Sequence, residues 1–155
     1  MTRYKMITGF LVTLLSWYSY SIELPETDSS KLFQRLGVVY KINTMTPFTG
    51  TSVEYYENGQ LHLRKEYKDG KKQGLWEEYF ANNQLMTTGS FTNGVMHGLW
   101  ESFYENGKAF ERGNLSNGLK EGLFEEFYEN GEIQLEECFE MGKEIELTIC
   151  KDKLN

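Results

Sequence analysis

The stretch GLWESFYENGKAFERGNLSNGLKE at residues 98–121 decides the fold, because its pattern recurs every 24 residues on either side without an insertion. The copies before it read GTSVEYYENGQLHLRKEYKDGKKQ (50–73) and GLWEEYFANNQLMTTGSFTNGVMH (74–97); the copy after it reads GLFEEFYENGEIQLEECFEMGKEI (122–145). A fixed period of this length marks a repeat architecture, in which each copy buries apolar side chains against its neighbours. Two turn signals recur inside each copy. The first is Asn58-Gly59, Asn82-Asn83, Asn106-Gly107 and Asn130-Gly131, residues that accept the positive φ angles of a two-residue type I′ hairpin turn. The second is the glycine at 70, 94, 118 and 142, read as a looser connection to the next copy. Each copy is thus expected to be strand, tight turn, strand, connection.

A two-residue turn fixes the register, since paired residues share a face of the sheet. In the second copy it sets Phe80 opposite Leu85, Glu78 opposite Thr87 and Trp76 opposite Gly89; in the third, Tyr104 opposite Ala109, Trp100 opposite Gly113 and, on the other face, Glu101 opposite Arg112. An indole over a strand glycine covers backbone that the glycine leaves bare. The other face is mixed, with Leu75, Glu77, Tyr79 and Met86, then Leu99, Glu101, Phe103 and Phe110. Fourteen of the 23 aromatic residues fall at only four repeat positions, which makes them mainly a device for holding the sheet together. Eight strands at about 4.8 Å spacing would form a twisted ribbon roughly 35–40 Å long.

Composition agrees with an all-β chain. Of 155 residues 39% are apolar and 25% charged, as in an ordinary soluble domain, and the high aromatic share goes with 15 glycines and only 2 prolines. Residues 1–21 read as a signal peptide, with Arg3 and Lys5, an apolar run from Met6 to Leu15 and small residues up to Ser21. The domain expectation is signal peptide 1–21 (a signal helix), flexible leader 22–36, capping strand 37–49, repeats 50–73, 74–97, 98–121 and 122–145, and tail 146–155. Export to the periplasm or the extracellular space follows from it. The formal charge is −7, and removal of residues 1–21 takes away two basic and no acidic groups, leaving −9. An acidic body does not suit nucleic acid or anionic membrane, where Lys and Arg supply the affinity; a protein partner, and a basic one, suits it better. Cys138 and Cys150 are either a disulfide or two separate thiols.

The pattern glycine, Leu-Trp, acidic pair, aromatic pair, Glu-Asn-Gly, second strand and Asx-Gly, rendered closely by GLWESFYENGKAFERGNLSNG, resembles the MORN-variant repeat. The lead-in VYKINTMTPFTG is similar to that of bacterial proteins of the YwqK-type antitoxin family, and the resemblance spans about residues 37–145. It implies an elongated sheet of stacked hairpins and a binding role, antitoxin-like or immunity-like, with an envelope-associated structural scaffold as the alternative. Enzyme chemistry is not expected. His62 and His97 occupy different repeat positions without zinc-ligand neighbours, and no G-x-S-x-G or phosphate-binding loop occurs. Glu77-Glu78 and Glu125-Glu126 are adjacent on strands and so point to opposite faces. No cofactor or metal is expected. The candidate partner-binding residues are Tyr55, Tyr79, Phe103 and Phe127 with Glu77, Glu101 and Glu125, all on the mixed face.

Overall fold

The computed structural model describes residues 26–153; the expected signal peptide 1–21 and its helix lie outside the described residues. In chain order the elements are β1 (Glu26–Asp28), a 3-10 turn at Ser29–Lys31, β2 (Leu32–Arg35), β3 (Val38–Lys41), β4 (Gly50–Tyr55), β5 (Leu61–Lys68), β6 (Lys71–Tyr79), β7 (Leu85–Thr92), β8 (Val95–Met96), β9 (Gly98–Phe103), β10 (Ala109–Ser116), β11 (Leu119–Phe127), β12 (Ile133–Glu140), β13 (Lys143–Ile145) and α1 (Leu147–Lys153). Eleven of the strands make one sheet, in the order β1-β4-β5-β6-β7-β9-β10-β11-β12-β13 with β8 paired to β7. From β4 onward the sheet is an antiparallel meander in sequence order, so the fold is all-β and built of stacked hairpins.

The two turn types are exchanged relative to the sequence expectation. Asn58, Asn82, Asn106 and Asn130 are not left-handed; only Gly59, Asn83, Gly107 and Gly131 are. Each asparagine instead accepts a hydrogen bond on Oδ1 from the backbone N–H two residues on, as from Gln60 at 3.0 Å and Gln84 at 2.9 Å. With Tyr56 N–H donating to Gln60 O and Gly59 N–H to Tyr56 O, this is a three-residue turn ending in one left-handed residue. The true two-residue turns are the supposed loose connections. Asp69-Gly70, Asn93-Gly94, Asn117-Gly118 and Met141-Gly142 have positive φ at both positions, the type I′ signature, and so does Leu36-Gly37. An asparagine side chain that folds onto its own backbone favours right-handed φ, and the Asn-Gly dipeptide is compatible with either geometry.

The longer turn would displace the register by one residue, but a bulge next to it displaces it back. Tyr79 pairs with Leu85 and Phe103 with Ala109, where Phe80–Leu85 and Tyr104–Ala109 were expected; beyond the bulge Glu78–Thr87, Trp76–Gly89, Trp100–Gly113 and Glu101–Arg112 pair as expected. The bulged residue turns to the tryptophan side. His62 Nε2 lies 3.5 Å from Glu78 Oε1, and Phe110, at the equivalent position, packs edge-on against Tyr104 at 5.2 Å instead of joining the mixed face.

Pairing and packing carry one row from β4 to β12: Ser52, Lys65, Trp76 and Gly89 pair in turn, as do Trp100 with Gly113 and Phe124 with Glu137, while Trp100 lies beside Gly89 and Phe124 beside Gly113, so that large rings alternate with glycine over the central strands. Other devices join one copy to the next. Gly70, Gly94, Gly118 and Gly142 N–H groups donate to Phe48, Lys72, Met96 and Lys120 carbonyls at 2.7–2.9 Å. These are repeat-spaced bonds that only a stack can satisfy.

Both ends of the sheet carry added structure, which covers the first end and part of the far one. At the first end β1 pairs in parallel with β4, and the β2–β3 hairpin lies over the tryptophan face near Ser52 and Tyr67, held by Val39 N–H donating to Gly70 O at 2.9 Å. The segment 22–36 expected as a flexible leader therefore contributes β1 and β2, and the edge cap comes from Glu26–Asp28 and not from the strand expected at 37–49. Asp28 stabilises the turn after β1 by accepting from Ser30 N–H at 2.8 Å. At the far end the expected tail forms β13 and α1, and Cys138 is bonded to Cys150, with Cα atoms 5.8 Å apart. A helix of seven residues is marginal by itself; the disulfide and the Lys151–Glu136 ion pair at 2.8 Å fasten it to the sheet.

Candidate functional site

Tyr79 lies two residues from Glu77, and Phe127 two from Glu125, so the four rings at positions 55, 79, 103 and 127 share a face with the glutamate row. That row runs Val53, Arg64, Glu77, Thr88, Glu101, Arg112, Glu125 and Glu136 across β4 to β12. The seven proposed contact residues are thus brought onto one surface, the tyrosine face. Their environments differ. Tyr55 is 53% exposed, Tyr79 and Phe103 are half-buried, and Phe127 is buried beneath the Arg112 guanidinium, which stacks 5.1 Å from its ring centre. Phe127 therefore belongs to the interior of that end and not to an open contact surface.

Each of the three glutamates has an arginine opposite it in register, and Glu125 is ion-paired. Arg64 sits opposite Glu77 and within 3.7 Å of Glu26, while Arg112 is flanked by Glu101 and Glu125 and donates through Nε to Glu125 at 2.7 Å. The hydrogen bond to Glu125 holds the Arg112 guanidinium above its ordinary pKa, partial burial opposing and both flanking carboxylates assisting. Burial, then the charge of Glu77, raises the Tyr79 phenol, so it stays neutral and able to donate across the physiological range. The arrangement offers rings and apolar side chains with a row of four glutamates and two arginines between them. Arg112 lies opposite Glu101 as the register predicts but bonds to Glu125 on its other side, and Arg64 falls opposite Glu77.

Two further contributors were placed on this face by alternation but left out of the candidate set. Leu75 and Leu99 are 40% and 52% exposed, on the first strands of successive copies with β7 between them, and extend the apolar part of this face. Their signal is the Leu-Trp dipeptide: if the tryptophan faces one way, its neighbour faces the other. Next to Leu99, a cleft of about 380 Å³ is bounded by Arg112, Leu123, Glu125 and the disulfide at Cys150. Among the described residues no three His, Cys, Asp or Glu side chains gather as metal ligands, and no helix is long and apolar enough to cross a membrane.

No curated protein matches the chain closely enough to serve as a relative. A family model described as the MORN repeat variant does match, at residues 48–69, 72–93, 96–117 and 120–141, in step with the 24-residue period and two residues ahead of the phase read from the sequence. These four segments make up more than half of the chain, and with the hairpin stack that they form they establish that it belongs to the MORN repeat variant family.

Proposed function

We propose that the chain is an exported, non-catalytic protein-binding module whose contact surface is the tyrosine face over the first three copies, and that it acts in an antitoxin-like or immunity-like manner by masking a protein partner. The observation that carries this reading is the set of exposed apolar groups on the first strands of the first three copies, alternate strands of the sheet: Tyr55 at 53%, Leu75 at 40% and Leu99 at 52%, on the same face as the half-buried Tyr79 and Phe103. A chain that packs added structure at both ends of its sheet yet leaves this stretch in water retains apolar area of the kind that marks interaction surfaces. Tyrosine and phenylalanine supply large contact area at low entropic cost. Export is supported by the basic start and apolar run of residues 1–21 and by the Cys138–Cys150 bond, which suits an oxidising compartment.

The test compares the tagged full chain with Tyr55→Ser and Leu99→Glu variants in capture from the envelope and secreted fractions of the native host. One stoichiometric partner protein, retained by the wild type and lost by both variants while their thermal melts stay unchanged, is the expected result. Recovery of only the chain itself, or undiminished capture by both variants, would refute the reading.

A further inference from the structure

We propose that the outer edge of β12, at Ile133–Glu137, is a strand-addition site for an extended, basic segment of a partner protein. β13 pairs only with Cys138–Glu140 before the chain turns away into α1, so Ile133–Glu137 has no strand partner on that side among the described residues. Such an edge presents backbone N–H and C=O groups that an incoming strand can satisfy. Ile133 and Leu135 on it are 51% and 42% exposed.

The fourth copy also carries the side chains with which earlier copies grip the strand that follows them. The Tyr56 hydroxyl donates to Tyr79 O at 2.6 Å and the Tyr104 hydroxyl to Phe127 O at 2.7 Å, each 23 residues further on. Tyr128 is next in that series, and it is 50% exposed beside the open edge, where a following strand would bring its carbonyl. The Asn58 and Asn82 amides likewise donate to Ala81 O and Glu105 O of the next copy, whereas the Asn130 amide turns back onto Glu132. The edge is equipped for a strand that this chain does not supply from its described residues.

Charge selects the occupant. On interior second strands Arg64 and Arg112 meet Glu77 and Glu125 of the first strand that follows. At the matching position β12 carries Glu136, and where β5 has Lys65 it carries Glu137. A second copy of this chain, offering one of its own strands with Glu77, Glu101 or Glu125, would set like charges opposite each other, which is unfavourable. A basic strand restores the pairing with the signs exchanged. Lys151 of α1, 2.8 Å from Glu136, already places an ammonium beside this edge, and Glu132 and Glu137 continue the acidic line along it.

The test titrates the full chain with a fluorescent eight-residue peptide of alternating Val and Lys, with a Val and Glu peptide as control, and follows amide hydrogen exchange. The Lys peptide is expected to bind and slow exchange at Ile133–Glu137, the Glu peptide to bind at least about tenfold more weakly, and Glu132→Lys with Glu137→Lys to weaken the Lys peptide by about tenfold. Tyr128→Phe should cost roughly threefold, one hydrogen bond's worth, and Tyr55→Ser nothing, which separates this site from the tyrosine face. Absence of Lys-peptide binding, binding without protection of Ile133–Glu137, or protection of those amides by self-association alone would overturn the proposal.

Discussion

The two ends of the sheet and its middle are written in the same 24-residue pattern and are stabilised in different ways. The buried apolar side chains are Phe48, Val53 and Tyr67 at one end and Phe124, Phe127, Cys138 and Cys150 at the other, with none between residues 68 and 123. The middle strands keep Trp76, Phe91, Trp100 and Phe103 only half-buried and hold together by pairing, by ring-over-glycine contacts and by the bonds that step from copy to copy. A one-layer sheet acquires an interior only where something lies on it: the β2–β3 hairpin at one end, and at the other the disulfide-held α1 on the tyrosine face, with Phe139 and Lys120 packed on Phe124 on the tryptophan face. The uncovered middle is the part with surface to offer a partner.

Truncation should expose this contrast most strongly. Phe124→Ala removes a ring that is 3% exposed and should cost about 3–5 kcal/mol in urea unfolding, while Phe103→Ala in the middle should cost roughly half as much. Equal losses would abolish the distinction. Cutting the tether comes next: Cys138→Ser with Cys150→Ser should lower stability by about 2–3 kcal/mol, as expected for a short closed loop, with hydrogen exchange accelerating in β13 and α1 and hardly at all in β6 and β7. Acceleration spread evenly over the sheet would mean that α1 supports the whole stack. The smallest effect separates two glycines in the same row. A Cβ at Gly113 would lie 2.5 Å from Phe124 ring carbons, but one at Gly89 would lie 3.3 Å from Trp100 and the Met96 methyl. Gly113→Ala should therefore cost about 1–3 kcal/mol and Gly89→Ala less than about 1 kcal/mol, measured in the same unfolding series; the reverse order would show that the middle is packed as tightly as the end.

These contrasts also mark where sequence reading stopped. Trp76 over Gly89 and Glu101 against Arg112 were legible because the register is set by the sum of turn and bulge, and that sum equals a two-residue turn. The turn geometry itself was not legible, since Asn-Gly serves both forms and the choice depends on where the asparagine side chain bonds. The tyrosine face was legible as a set of residues, by alternation, but not which glutamate Arg112 bonds. Glu125 looks free in sequence, and only alignment of β10 with β11 brings Arg112 to within 2.7 Å of it. The first-end cap was missed because IELPETDSSK has no periodicity, and a three-residue parallel strand needs none.

The sequence by itself determined the repeat, its period, the all-β class and the face of the rings outside the bulges, because these depend on residues close together in the chain and on the alternation of a strand. Only the tertiary structure decided which copies are interior and which are open, which glutamates find an arginine, and that the stack ends on an unfilled edge. Those properties depend on what is packed beside a copy, and four nearly identical copies cannot encode in their shared pattern which of them will have a neighbour.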